Sequence, residues 1–272
     1  MTDRYAVIGN PIAHSKSPAL HACFARQCGQ NLRYDAILGG LDKFKSCALS
    51  FFDGGGRGLN VTAPFKLEAF ALADQLTGRA RLAGAVNTLK REGQGLLGDN
   101  TDGAGLVRDL REQFDLVLAG QRILILGAGG ATRGVLHPLL AEHPARLAIA
   151  NNTLAKARAL QQLVADIAPI DIGQWSDFAG QPFDLVINAS SASVHGGAPL
   201  PAGLFADGAL AYDMSYGKAC TPFMNAALAG GAARAGDGFG MLAGQAAESF
   251  LLWRGVLPDI APVMNELRAN WQ

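Results

Sequence analysis

The stretch Gly127-Ala-Gly-Gly-Ala-Thr-Arg-Gly134 limits what this chain can fold into more than any other. It follows the apolar run at 123–126 and precedes Val135, Leu136, Leu139 and Leu140. An unbroken branched-apolar run reads as a strand buried on both faces, and apolar residues three and four apart read as a helix. Glycines at that junction let the backbone turn sharply and approach a phosphate, which the helix's free N–H groups and dipole attract. The strict G-x-G-x-x-G/A spacing fails because its last position falls on Thr132. Read through Gly127, Gly129, Gly130 and Gly134, the stretch is a variant of the dinucleotide fingerprint; the alternative is an ordinary strand-to-helix turn. Asn151 stands 24 residues past Gly127, where a ribose-binding residue is expected. An acid there would bond the 2′-hydroxyl of NAD and repel a 2′-phosphate. Asn151-Asn152-Thr153 carries no acid, and Lys156 and Arg158 follow, so the pattern favours NADP.

Around this turn, strands and helices alternate. Strands are expected at 4–8, 32–38 and 58–62. Helices are expected from Ser17-Pro18 onward (Ser17 as N-cap), over 41–52, and from Pro64 through Ala73. That alternation implies a mostly parallel sheet. Residues 85–89 and 95–98 flank the turn Glu92-Gly93 as a hairpin, and Asp99-Asn-Thr-Asp-Gly103 leads into a helix. Beyond the glycine turn, strands are expected at 146–150, 184–187 and 210–213, with a weak one at 232–234. Helices are expected over 154–167, 241–253 and 262–270.

A length of 272 residues suits two domains. With 23 basic and 23 acidic residues, there is no electrostatic footprint for nucleic acid or an anionic membrane. The N-terminus shows no signal-peptide pattern, and apolar runs are too short to span a bilayer. Cys23, Cys28, Cys47 and Cys220 form no framework, which suits free, half-buried thiols in a reducing cytosol. The five histidines show no ligand spacing, so no metal is expected. His14 and His21 read as ordinary polar residues.

The candidate chemistry lies in the first half. Lys66, just after a strand–Pro turn, would sit at the sheet's carboxyl edge, where open sheets place ligands. It is either a solvated helix lysine or an ammonium that holds a substrate hydroxyl and moves its proton. Asp102 is either a helix N-cap, shared with Asp99 or Thr101, or a carboxylate that brackets a polyol with Asn87. Ser15, Ser17 and Thr62 offer hydroxyls at two strand ends, where capping is the other use. Gln245, one turn before Ser249, points away from the apolar stripe of Leu242, Ala246, Phe250 and Trp253, towards the surface or a ligand.

Taken together, the segments resemble the shikimate dehydrogenase family nearly end to end. Four motifs match its substrate domain: Gly9-Asn-Pro-Ile-x-His-Ser-x-Ser-Pro18, Asn60-Val-Thr-x-Pro-Phe-Lys66, Gly84-Ala-x-Asn-Thr88 and Asp99-Asn-Thr-Asp-Gly103. Four more match its cofactor side: Gly127-Ala-Gly-Gly-Ala131, Asn188-Ala189, Tyr212-Asp-Met-x-Tyr216 and Gly238-x-Gly-Met-Leu-x-x-Gln-Ala-Ala247. The resemblance implies reversible NADP-dependent reduction of 3-dehydroshikimate to shikimate, en route to aromatic amino acids. Lys66 and Asp102 would flank the reacting C3 oxygen. Ser15, Ser17 and Thr62 would bond the substrate carboxylate, and Asn87 and Gln245 the ring hydroxyls, with Asn60 and Tyr216 beside them. Gly127, Ala128, Gly129, Gly130 and Ala131 would hold the pyrophosphate. Asn151, Asn152 and Thr153 would meet the adenosine ribose and Lys156 its phosphate, Met214, Gly238 and Met241 would line the nicotinamide pocket, and Ala189 would also bind the cofactor.

The implied fold is α/β with two domains. An open, mostly parallel substrate domain (1–102, completed by C-terminal helices at 240–272) accompanies a Rossmann-like, doubly wound NADP-binding domain (103–239). The active site would lie in the cleft between them, with some closure motion. A cytoplasmic monomer or homodimer acting on a small molecule is expected. The sequence departs from the family pattern at three places. Asn152 replaces the arginine that clamps a 2′-phosphate, a charge no carboxamide supplies. Lys156 and Arg133 remain as nearby cations. Ala22 follows His21 where asparagine is frequent, and Ser193 replaces a glycine near the nicotinamide. Two other readings stand beside the first: an NAD-using quinate/shikimate dehydrogenase, and a dinucleotide-binding regulator without turnover.

Overall fold

The first strand is apolar at consecutive positions because both faces of its sheet are covered. A computed structural model of the chain describes residues 2–190, 200–217 and 220–269. In it, β1 (Asp3–Gly9) buries Ala6 and Ile8 in one core cluster and Tyr5 and Val7 in another. There follow α1 (Ser17–Gln27), β2 (Leu32–Leu38), α2 (Phe44–Asp53), β3 (Gly56–Val61) and α3 (Lys66–Leu72). The short β4 (Gln75–Leu76) and α4 (Gly78–Ala83) precede the hairpin of β5 (Thr88–Glu92) and β6 (Gly95–Asp99), and α5 (Asp102–Glu112) comes next.

Then come β7 (Arg122–Leu126), α6 (Gly130–Leu140), β8 (Arg146–Ala150), α7 (Leu154–Leu163), β9 (Asp171–Gly173) and a 3₁₀ turn (Trp175–Phe178). β10 (Phe183–Asn188), β11 (Phe205–Asp213), α8 (Pro222–Ala229), β12 (Arg234–Asp237), α9 (Phe239–Arg254) and α10 (Ile260–Ala269) complete the described chain.

The chain divides into two compact units, Met1–Leu106 with Leu242–Gln272, and Val107–Met241. The first holds a six-stranded sheet ordered β2-β1-β3-β5-β6-β4, with β3–β5 and β5–β6 antiparallel and the other pairs parallel. α9 and α10 belong to this unit for all or most of their length, and Trp253 of α9 packs on Tyr5 with ring centroids 4.9 Å apart. The second unit's sheet is wholly parallel, ordered β12-β11-β10-β7-β8-β9. Counted from β7, this is the 3-2-1-4-5-6 order of the doubly wound dinucleotide fold, with its switch point between β7 and β10. The two-domain α/β class expected from the sequence is therefore present, its second sheet Rossmann-like.

Several element boundaries differ from expectation for local reasons. Ser17 is not the N-cap of α1: Lys16 holds that position without a side-chain bond, and the Ser15 hydroxyl accepts from the Ser17 N–H at 3.3 Å. The helix expected from Pro64 begins at Lys66, after a turn closed by Phe65 N–H to Thr62 C=O. α2 starts at Phe44 instead of residue 41, and α7 ends at Leu163, four residues short, where Val164 bonds back as a C-cap. The weak strand at 232–234 is displaced to β12, Arg234–Asp237. Asp99 does not cap α5, because its carboxylate is held by Arg79 and Thr77. Thr101's hydroxyl is likewise turned to Asn87. Ser191, Ser193, His195 and Asn270 lie outside the described residues.

Candidate active site

In the first unit, three strand ends and two helix starts converge. β1 and β3 are adjacent and parallel, so Gly9 and Thr62 leave the sheet side by side, and Asn10 N–H bonds Ala63 C=O at 3.0 Å. A β-carbon on Gly9 would strike the Thr62 methyl, so this close approach requires glycine. The loop after β1 carries Ser15, half-buried, and α1 opens on Ser17, buried. Thr62, half-buried, begins the turn that sets Lys66 at the first position of α3. The Lys66 C=O accepts from Val86 N–H at 3.0 Å, tying α3 to the segment before β5 that presents Asn87.

These constraints bring Lys66 Nζ to 2.5 Å from Asp102 Oδ2, with side-chain exposures of 17% and 7%. Asn87 Nδ2 donates to the other carboxylate oxygen, Oδ1, at 2.8 Å, and to Thr101 Oγ1 at 2.8 Å. Asp102's own N–H is held by Asn100 Oδ1 at 3.2 Å, and Asn100 in turn donates to Ala85 C=O at 3.0 Å. A half-buried ammonium, a buried carboxylate and a buried carboxamide thus meet with their second partners in place. Such a cluster can hold two neighbouring oxygens of a polyol and exchange a proton with one of them.

Gln245, on α9, reaches Asn87 Nδ2 at 3.3 Å with its carbonyl oxygen. Gln245 and Ser249, four residues apart, are both buried, so the polar side of α9 faces inward as well as the apolar stripe. Beside this cluster Arg79 pairs with Asp99 and Glu248. Burial pushes the Asp99 carboxyl up, but the Arg79 guanidinium, the Thr77 hydroxyl and the Asn100 N–H outweigh it and hold it below the usual range.

The second unit carries the glycine turn at its switch point. Gly127 has φ +111°, the left-handed region that favours glycine, and a β-carbon there would crowd Ala189 and Ser190 at the end of β10. Gly129 and Gly130 have open space where a β-carbon would stand, and Gly130 opens α6. A backbone with room above it and a helix N-terminus behind it fits a pyrophosphate. Ala131 follows in the first turn of α6. Asn151 locks the turn to the end of β8, accepting from Ala128 N–H at 3.1 Å and donating to Thr153 C=O at 2.8 Å.

Asn152, Thr153 and Lys156 are exposed and Arg133 is half-buried. Among the described residues neither Lys156 nor Arg133 forms an ion pair. Met214 N–H bonds Asn188 C=O at 2.9 Å, and Gly238 lies so close to the Met214 backbone that a side chain would collide with it. Met241 is buried. Tyr216, with its ring centroid 6.3 Å from that of Phe239, is carried by this unit, unlike every other expected substrate residue.

Sequence reasoning missed the residues behind the cluster. Tyr34, Thr88, Thr101 and Ser249 are buried polar groups bonded into it. Thr88 and Thr101 fell inside quoted motifs, whereas no local signal marks Tyr34 or Ser249. His21 is a core histidine: it is fully buried and stacked on Tyr34 with centroids 4.1 Å apart. Burial drives its pKa down to about 3, with the Asn60 side chain opposing. Cys23 is buried and Cys220 exposed, and no helix among the described residues is long and apolar enough to cross a membrane.

Three family models cover most of the chain. The shikimate dehydrogenase substrate binding domain matches residues 7–89, shikimate / quinate 5-dehydrogenase matches 109–195, and the shikimate 5'-dehydrogenase C-terminal domain matches 238–268. Shikimate dehydrogenase (NADP(+)) of Dechloromonas aromatica is 58% identical over 271 residues, 99% of each chain. An Ael1 enzyme from Pseudomonas putida has a solved structure with TM-score 0.89 and 49% identity, covering 98% of each chain. A shikimate 5-dehydrogenase from Thermus thermophilus, solved in complex with NADP(H) and shikimate, matches with TM-score 0.88 and 32% identity over 100% of each chain.

Proposed function

The chain belongs to the shikimate dehydrogenase family, and we propose that its two polar clusters perform that family's reaction, with Lys66 and Asp102 at the reacting oxygen. The protein is an NADP-dependent oxidoreductase that interconverts 3-dehydroshikimate and shikimate. The observation carrying the residue assignment is the Lys66–Asp102 pair, 2.5 Å apart, with Asn87 on the second carboxylate oxygen.

When bound, NADPH supplies the hydride. Lys66 polarises the C3 carbonyl and delivers its ammonium proton to that oxygen as the alcohol forms; in reverse it takes the proton back. Asp102 sets the lysine's direction and accepts a bond from the neighbouring hydroxyl. Asn87 and Gln245 hold the ring hydroxyls, and Tyr216 is a further substrate ligand. Ser15, Ser17 and Thr62 bind the carboxylate. Fixing the substrate at both ends converts binding into orientation.

Gly127 to Ala131 cradle the pyrophosphate. Asn151, Asn152 and Thr153 meet the adenosine ribose, and Lys156 with Arg133 supplies the positive charge for a 2′-phosphate that Asn152 cannot. Ala189, Met214, Gly238 and Met241 line the nicotinamide pocket. The enzyme works in the cytoplasm as a monomer or homodimer. A two-by-two assay of shikimate or quinate with NADP or NAD tests the reading. The expected result is the highest kcat/KM for shikimate with NADP. Comparable efficiency for quinate with NAD would move the assignment to a quinate/shikimate dehydrogenase, and no turnover with saturating shikimate and NADP would overturn catalysis altogether.

A further inference from the structure

We propose that Asn60 is a positioning residue, held in one orientation by Tyr34 so that its amide nitrogen fixes the Thr88 and Ser249 hydroxyls behind Asn87. The proposal rests on the reading of Lys66, Asp102 and Asn87 as the reacting group. It replaces the expectation that Asn60 binds substrate beside Asn87 and Gln245.

Hydrogen-bond polarity orders the chain from the carboxylate outward. Asp102 only accepts, so the Asn87 atom 2.8 Å from it is the amide nitrogen. The Asn87 oxygen therefore faces the Thr101 N–H at 2.9 Å and the Thr88 hydroxyl at 2.8 Å, which must donate. A threonine hydroxyl has one proton, so with that proton on Asn87 Thr88 accepts from Asn60 Nδ2 at 3.1 Å, while the Ser249 hydroxyl, 2.8 Å from Thr88, divides its own proton between Thr88 and the Gln245 C=O. Ser249 Oγ accepts from the same nitrogen at 3.0 Å, and the Asn87 C=O does so at 3.3 Å. The Asn60 oxygen is then turned to the Tyr34 hydroxyl at 2.7 Å, which donates.

The polarity is fixed at the carboxylate end, where Asp102 can only accept. The chain runs from a phenol on β2 through β3 and β5 to the carboxylate at the start of α5, with α9 contributing Ser249. Asn60 is 5% exposed and both its amide protons are committed to the protein, which leaves none for a substrate. Burial also keeps the Tyr34 phenol protonated, so its donor is permanent. A chain of donors with one direction stops Asn87 from presenting its oxygen to Asp102, an arrangement that would repel the carboxylate and spoil its aim at the substrate.

The test measures kcat and KM for shikimate with saturating NADP in Asn60→Asp, Thr88→Val and Thr88→Ser, with thermal melting as the folding control. Asn60→Asp keeps size but cannot donate, so Thr88 turns its proton to the new carboxylate and away from Asn87. The expected result is a fall in kcat of about 30-fold with KM within about threefold. Thr88→Val lowers kcat about tenfold, and Thr88→Ser, which keeps the hydroxyl, restores it to within about twofold. Should Asn60→Asp fail to fold, the two Thr88 variants decide. A raised KM with normal kcat in Asn60→Asp would make Asn60 a substrate ligand and overturn the proposal, as would wild-type kcat in Thr88→Val. Asp102→Asn in the same assay separates the two readings: if it turns over normally, the reacting-group assignment fails, whereas its loss beside a normal Thr88→Val overturns the positioning role alone.

Discussion

Replacing His21 with leucine should make the protein resist acid better than it does now. His21 is 0% exposed, lies parallel to Tyr34 and is edged by Phe24, Phe250 and Trp253. Neither of its ring nitrogens has a partner in good hydrogen-bond geometry within the described residues, and the nearby Asn60 side chain offsets only part of the burial. Its pKa falls from 6.5 to about 3, chiefly through desolvation. The unfolded chain takes up a proton near pH 6.5, whereas the folded chain refuses it until about pH 3. Between those values the unfolded state binds more protons, so stability falls as pH falls.

Integrated from about pH 7 to about pH 4.5, this one group removes roughly 2–3 kcal/mol, at about 1.4 kcal/mol per unit of pKa difference. His21→Leu abolishes that loss while forfeiting the ring stacking equally at every pH, which costs roughly 1 kcal/mol. Denaturant unfolding followed by tryptophan fluorescence over this range should show the two stability curves converging, and then crossing, as pH falls. Parallel curves would refute the reasoning, because they would mean that the buried ring does not resist protonation.

Lys66→Met and Asp102→Asn should each lower kcat by about 100-fold or more, with a smaller change in KM, the pattern of groups used mainly in the transition state. Steady-state shikimate oxidation checks this, and near-normal turnover in either would remove that residue from the reaction. Asn152→Arg should raise the ratio of kcat/KM for NADP over NAD about tenfold by adding a bidentate charge; an unchanged ratio would place residue 152 away from the phosphate.

The features legible in the sequence were those whose cause is local. The Gly127 turn announces itself because a strand end, a left-handed glycine and a helix start must be consecutive. The β5–β6 hairpin shows in its Glu92-Gly93 turn, and Lys66 in its place after a strand and a Pro turn. What was illegible depends on distant partners. β4, β9 and β12 are two to four residues long and have no apolar run of their own; neighbouring edges create them. His21 looks polar on paper and becomes core only because aromatic residues from β2 and α9 close over it. Tyr34 and Ser249 carry no motif, and Ser249 meets Thr88 across 161 positions of chain.

The first unit is interrupted: its chain leaves after Leu106 and resumes at Leu242. On a ribosome, the whole parallel sheet of the second unit is therefore made before the first unit has its full complement of residues. Until positions 245 and 249 emerge, Asn87, Thr88 and Asn60 lack two of their partners, and Tyr5 lacks the indole that covers it. Premature termination just before Leu242 would thus leave the glycine turn and its sheet translated and the reacting cluster unfinished, although every residue proposed to move a proton had already been made.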